Sequence, residues 1–222
     1  MKVYAFNKTD DPSLGWLSNM HASKVRYDGE VWPTAEHLFQ YMRYEKLDDV
    51  EYTYTKTDKE TGEKREQVEI VNAKTIKAEI LATASPLFAK KLAKKYSTVI
   101  SSPDVKYDDN QNEEEQLRIA VAQAQAAKKI GQRYRLLMTT TREQDIKNMD
   151  KVVRLKLAYN PDLIRRLIST DGEIIEDVTS RNSGSASFWG AAKQEDGTWV
   201  GTNALGVIWM KIRDDLQKVL FV

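Results

Sequence analysis

The chain has 222 residues, 30% of them charged and 41% hydrophobic, and a formal net charge of +1. This is the balance of a globular chain long enough to bury a core, and it leaves no global field to recruit nucleic acid or a membrane surface. Cys is absent, which excludes disulfide frameworks, thiol nucleophiles and thiolate metal sites.

In chain order, Lys2 to Asn7 alternates as a strand partly covered on both faces, and Asp10-Asp11-Pro12-Ser13 with Gly15 marks a loop. Trp16-Leu17-Ser18-Asn19-Met20 mixes apolar and small polar groups in a continuing loop. Asp28-Gly29, between Val25-Arg26-Tyr27 and Glu30-Val31-Trp32, is a hairpin signal, because a type I′ turn needs positive φ. The hairpin leads to Trp32-Pro33-Thr34-Ala35-Glu36-His37-Leu38-Phe39-Gln40, read as a helix opening at Pro33 and running to about Lys46. Ala35, Leu38, Phe39 and Met42 follow the spacing of a buried stripe, while Glu36, Gln40 and Arg43 share a polar sector. Glu36 lies in the first turn, where the helix dipole favours a carboxylate.

Residues 51–56 and 66–71 alternate around a charged tip at 58–63 and predict a β-hairpin standing out from the core. Helices are expected over 73–81 and 86–95, the second opened by Ser85-Pro86 and made basic by Lys90, Lys91, Lys94 and Lys95, a solvated face. A polar loop over 101–112 precedes a long helix from Glu113 to about Met138. Another helix opens at Asp145 with Met149, Val152, Val153 and Leu157 in its stripe and stops at Asn160-Pro161, where the next runs to Ile168. Residues 173–178 read as a strand and 181–185 as a loop before Phe188-Trp189-Gly190. Asn203 suits an N-cap for a last helix, with Leu205, Ile208, Trp209, Ile212, Leu216 and Val219 facing the core. No linker or internal repeat divides the chain, so 1–222 is expected to be one domain, with a hairpin excursion at 50–72 and a helical insertion at about 98–140.

The common catalytic signatures are missing. Two histidines without an H-x-x-x-H pair argue against a zinc hydrolase, and neither a phosphate loop, a dinucleotide fingerprint nor a G-x-S-x-G elbow occurs. Carboxylate chemistry is the leading enzymatic option, with no cofactor and no metal expected. No apolar run approaches the ~20 residues of a membrane span, and the chain reads as cytoplasmic.

Several blocks in order carry a family resemblance. Leu17-Ser18-Asn19-Met20, Asp28-Gly29, Trp32-Pro33-Thr34-x-Glu36-His37-x-Phe39-Gln40 and Arg43-Tyr44 are followed by Ala84-Ser85-Pro86-x-x-Ala89 and the Lys156–Leu167 segment. Phe188-Trp189-Gly190, Gly201-x-Asn203-x-Leu205-Gly206 and Met210-x-x-Arg213 close the series. Together they resemble the NADAR superfamily, the YbiA-like proteins. The resemblance implies a helix-rich α+β domain with short strands and hairpins around a helical core. It also implies an N-glycosidase acting on ADP-ribosylated guanine in nucleic acid or on a related nucleotide, with Glu36 as its essential carboxylate.

Asn19, His37, Gln40, Arg43, Trp189, Gly190 and Asn203, all within these blocks, are the candidate substrate-binding positions. Trp189 would stack on the base, as aromatics do in single-strand binders, or serve as a core tryptophan. Asn19, Gln40 and Asn203 offer both donors and acceptors to ribose or a base edge, although Asn203 equally suits a helix cap. Arg43 or Arg213 would meet a diphosphate. The chain departs from the pattern where a tryptophan often precedes the Met149 helix, since Thr141 stands there. It departs again where acids often flank F-W-G, since Ser185-Ala186-Ser187 precedes and Ala191 follows. Glu36 then works alone, or Asp177, Glu195 or Asp196 substitutes, or the substrate differs. A non-catalytic ADP-ribose-binding module is the alternative, and a third reading uses the helix after Glu113 as a partner surface. The oligomeric state is not legible.

Overall fold

A computed structural model describes residues 2–96, 141–181 and 184–220. The expected loop over 101–112 and the long helix over 113–138 lie outside the described residues. The chain forms a mixed α+β fold that divides into two compact units, residues 1–39 with 145–222 and residues 40–144.

The first unit is built on a parallel strand pair, β1 (Val3–Phe6) and β6 (Glu173–Glu176), in register from Val3 opposite Glu173 to Phe6 opposite Glu176. Ile174 and Ile175 are both buried, as befits a strand covered on both faces. A hairpin of β2 (Val25–Tyr27) and β3 (Glu30–Trp32) turns at Asp28 and Gly29, whose φ values of 50° and 75° are those the turn requires. Helix α4 (Arg142–Tyr159) buries Met149, Val152, Val153, Lys156 and Leu157 along one stripe, and α5 (Pro161–Ile168) follows with Pro161 at its start. Closing the unit are α6 (Gly184–Trp189), a short β7–β8 hairpin (Ala192–Lys193 and Trp199–Val200) and α7 (Ala204–Leu220). Trp209 of α7 meets Trp16 edge-on at 5.5 Å and donates its indole N–H to the Leu17 carbonyl at 3.1 Å.

The second unit holds the hairpin of β4 (Val50–Thr57) and β5 (Lys64–Val71), then α2 (Ala73–Leu81) and α3 (Pro86–Tyr96). Asp58 shapes the hairpin tip by accepting the N–H groups of Glu60 and Thr61, and these bonds hold its carboxyl below the usual range. Asn72 and Thr75 form a reciprocal capping box at the start of α2. Ile76, Ile80, Ala89 and Ala93 are buried, and the Tyr44 hydroxyl donates to the Ala93 carbonyl at 2.7 Å. Lys90 and Lys91 of α3 are exposed.

Several boundaries shift. The helix expected from Pro33 to Lys46 is α1, Ala35–Met42, with Thr34 as its cap, and turns replace it from Arg43 to Lys46. Helix α4 opens at Arg142 rather than Asp145, because the Thr141 hydroxyl accepts the Gln144 N–H at 3.2 Å. Val219, expected in the core, is 79% exposed. No described helix is long and apolar enough to cross a membrane.

Candidate active site

The expected polar face of α1 does not meet solvent. Every residue from Ala35 to Met42 is buried, including Glu36, 6% exposed, His37, 0%, and Gln40, 3%. A carboxylate, an imidazole and an amide therefore sit inside the protein on one helix of eight residues.

Glu36 is fixed through its backbone. Its N–H, one of the first-turn donors that no helical carbonyl can satisfy, donates to the Asn19 carbonyl at 2.8 Å. The loop 16–19 is thus tied directly to the turn that carries the acid. Asn19 is itself 5% exposed and points its amide nitrogen at the Met149 thioether of α4, 2.9 Å away. A thioether only accepts, so the amide must present its nitrogen there, and Oδ1 is left buried with no hydrogen-bond partner among the described residues. Leaving such an acceptor unmade costs about 1–3 kcal/mol, so Oδ1 is an acceptor open to a water or a ligand hydroxyl.

Lys156, part of a resemblance block but given no role from the sequence, completes this support. It is 0% exposed, and Nζ donates to the carbonyls of Trp16 at 2.6 Å and Ser18 at 2.8 Å. No carboxylate among the described residues pairs with it, and burial lowers its pKa to about 7. Its charge, together with burial as the larger cause, holds His21 below the ordinary imidazole value. Met149 and Lys156 lie two turns apart on α4, so one helix face grips the loop that in turn grips Glu36. The sequence signal was available: 149, 152, 153, 156 and 157 form one helical stripe, which puts the lysine on the buried side.

The aromatic segment reaches the same helix. Trp189, half-buried at the end of α6, packs edge-to-face on Phe39 of α1 with ring centroids 5.6 Å apart, and on Phe188 at 4.9 Å. Phe39 is three residues from Glu36 and so neighbours it on the helix surface. Of the expected positions, Asn19, Glu36, His37, Trp189, Gly190 and Asn203 fall in the first unit, whereas Gln40 and Arg43 belong by their contacts to the second.

Three of the expected positions brace the fold. His37 is fully buried and joins Nδ1 to the Thr34 hydroxyl at 2.8 Å, stiffening the first turn of α1. Asn203, with φ of 51°, donates its amide nitrogen to the Ile174 carbonyl at 2.8 Å and accepts the Glu176 N–H at 3.2 Å. Its carboxamide thus stands in for a neighbouring strand along the edge of β6, while its carbonyl accepts the Val207 N–H at 2.9 Å at the expected start of α7. Gly190 lets the chain after Trp189 lie against that edge, since a Cβ there would fall 2.2 Å from the Glu176 carbonyl. Arg213, the other candidate for a diphosphate, donates to the Gly172 carbonyl at 2.7 Å and so pins the entry to β6.

The same packing explains the last motif glycine. A Cβ on Gly206 would lie 2.1 Å from the Ile174 carbonyl and 2.5 Å from the Asn203 side chain. Gly206→Ala should lose about 3 kcal/mol in denaturant unfolding, the upper end for overpacking. Gly197→Ala, at a positive-φ turn with no atom within 4 Å of the new Cβ, should lose only about 1 kcal/mol. Equal losses would show that Gly206 is not held by contact.

Two of the three substitute acids hold local turns. Asp177 accepts from the Thr179 N–H and hydroxyl, Asp196 from those of Thr198, and Glu195 is exposed on the same β7–β8 turn as Asp196. No group of three or more described His, Asp or Glu residues could hold a metal ion.

Comparison with known proteins places this arrangement. The NADAR domain model matches residues 104–217, just over half of the chain. The chain belongs to the NADAR family. The matched span begins after Glu36, and its part from residue 145 onward shares one compact unit with residues 1–39, which carry Glu36. A protein named as an N-glycosidase in Acanthamoeba polyphaga mimivirus is 36% identical over 72 residues, covering 29% of this chain and 40% of that relative. The NMR structure of E. coli YbiA shares the fold, with a TM-score of 0.55, 19% identity, and coverage of 99% of this chain and 88% of that one.

Proposed function

We propose that this NADAR protein is an N-glycosidase that hydrolyses the ribosyl C–N bond of an ADP-ribose conjugate, with ADP-ribosylated guanine in nucleic acid or nucleotide as its substrate. The observation that carries this reading is the pairing of a buried carboxylate, Glu36, with the buried and unpartnered Oδ1 of Asn19, joined through the Glu36 N–H and the Asn19 carbonyl. Membership of the family and a relative named as an N-glycosidase support glycosidic chemistry.

Breaking a ribosyl C–N bond develops positive charge at the anomeric carbon. A carboxylate at the start of α1 stabilises that charge and orients the attacking water. Water adds its hydroxyl to the anomeric carbon, its proton passes to the departing base, and free ADP-ribose is released. Asn19 Oδ1 accepts a ribose hydroxyl, and Trp189, partly open on one side, stacks on the base. The chain uses no cofactor for these steps.

The test is release of free ADP-ribose from ADP-ribosylated guanine oligonucleotide by the purified chain. Turnover is expected. Tight binding of ADP-ribose without turnover on any base conjugate would instead identify a binding module.

A further inference from the structure

We infer that the outer face of α3 is a docking surface for single-stranded nucleic acid, with Phe88 stacking on a base and Lys90 and Lys91 meeting phosphates. This surface goes beyond the glycosidase reading and uses no residue of the candidate site. The sequence concentrates charge here. Residues 73–96, which carry α2 and α3, hold six lysines and one acid, Glu79, in a chain whose net charge is only +1. Helical period then divides α3 into two sides. Ala89 and Ala93, both 0% exposed, turn inward. At about 100° per residue, positions Leu87, Phe88, Lys91, Lys94 and Lys95 fall within about 120° on the opposite side, with Lys90 next to them.

That side is open. Leu87 is 51% exposed and Phe88 60%, and Lys90 and Lys91 are exposed as well. Neither lysine pairs with a carboxylate among the described residues, and Lys91 Nζ lies instead 5.3 Å from the centre of the Phe88 ring. A large exposed aromatic is thus coupled to charge that no acid neutralises. The partner must therefore offer negative charge and a flat apolar surface together. A helix built to lie on a membrane keeps these features apart, with its apolar face in lipid and its charges on the other. In α3, Leu87, Phe88 and Lys91 share one side, and the exposed apolar part spans only two residues. A single nucleic-acid strand presents phosphates beside bases whose faces stack on aromatic rings. Lysine meets a phosphate as a point charge, so the surface is expected to ignore base sequence. A duplex keeps its bases stacked on one another and offers Phe88 no free face, which selects the single strand.

The experiment measures fluorescence anisotropy of labelled, unmodified single-stranded DNA and RNA of about 12 nucleotides over a range of salt concentrations. The proteins are wild type, Phe88→Ala, Phe88→Trp and the double variant Lys90→Gln with Lys91→Gln, with melting temperatures as the folding control. Wild type is expected to bind single strands of unrelated sequence alike, and more tightly than the matching duplex. Phe88→Ala should weaken that binding at least about 5-fold, and Phe88→Trp should retain it. The double lysine variant should lower the slope of log K against log salt by about 1.4, since each phosphate contact on a single strand contributes about 0.7. Unchanged affinity and salt slope in the folded variants would overturn the inference, as would a wild type that binds no oligonucleotide. Binding of wild type to phosphatidylserine vesicles but not to oligonucleotides, lost in the same variants, would overturn it in favour of a membrane surface. The oligonucleotides carry no ADP-ribose, so failure here leaves the glycosidase reading standing.

Discussion

Glu36→Gln should lower kcat/KM for ADP-ribosylated guanine by about 10²–10⁴-fold while leaving the melting temperature near that of wild type. The amide has the shape of the carboxylate it replaces, and the bond that fixes the residue, from its N–H to the Asn19 carbonyl, belongs to the backbone. On the proposed mechanism what disappears is the negative charge opposite the developing cation, so the loss should fall mainly on kcat. ADP-ribose itself carries no such cation and should bind the variant within a few fold of wild type. A parallel loss in ADP-ribose affinity would mean that Glu36 serves binding rather than the chemical step.

Lys156 carries the largest expected effect on stability. In the unfolded chain its amine titrates near 10.5, whereas in the folded chain burial lowers it to about 7. Between those values the unfolded chain holds a proton that the folded chain lacks, so the contribution to stability rises as pH rises. Below pH 7 both states are protonated, and the folded state bears the whole cost of the buried charge. At 1.36 kcal/mol per unit the full swing has a ceiling of about 5 kcal/mol, reduced by the Trp16 and Ser18 carbonyls, which favour the ammonium. Denaturant unfolding of wild type and Lys156→Met from pH 6.5 to pH 10 should show wild type gaining several kcal/mol relative to the variant. A difference that stays flat across this range would show that the amine keeps its ordinary titration in the folded protein.

Where local chemistry decides structure, the sequence was sufficient. Asp28-Gly29 set a turn, Ser85-Pro86 set the start of α3, and alternation on either side of 58–63 set the β4–β5 hairpin. Thr141-Arg142-Glu143-Gln144 also has the T-x-x-Q form of a capping box, and reading it would have started α4 at its observed position. The Leu-Ser-Asn-Met and Trp-Pro-Thr-x-Glu-His blocks were legible as a motif, but their meeting through Asn19 and Glu36 was not. Nor was the burial of the polar face of α1, because helical period reports only which residues share a side. Which side is covered depends on elements distant in sequence.

Roles inside the closing motifs were hidden for the same reason. Asn203 looked like a cap or a substrate ligand, and its bonds to Ile174 and Glu176 connect it to a strand 27–29 residues earlier. Helical period alone puts Lys156 on the buried side of α4, with Met149, Val152, Val153 and Leu157. Its burial then requires backbone acceptors, which the loop 16–18 provides.

The most direct measurement is a crystal structure of Glu36→Gln with an ADP-ribosylated guanine nucleotide bound. The side chain of residue 36 is expected within ~3–3.5 Å of the anomeric carbon, or joined to it through one water, with Asn19 Oδ1 accepting a ribose hydroxyl. A ribose bound beyond that reach, with Asn19 Oδ1 still unpartnered, would contradict it.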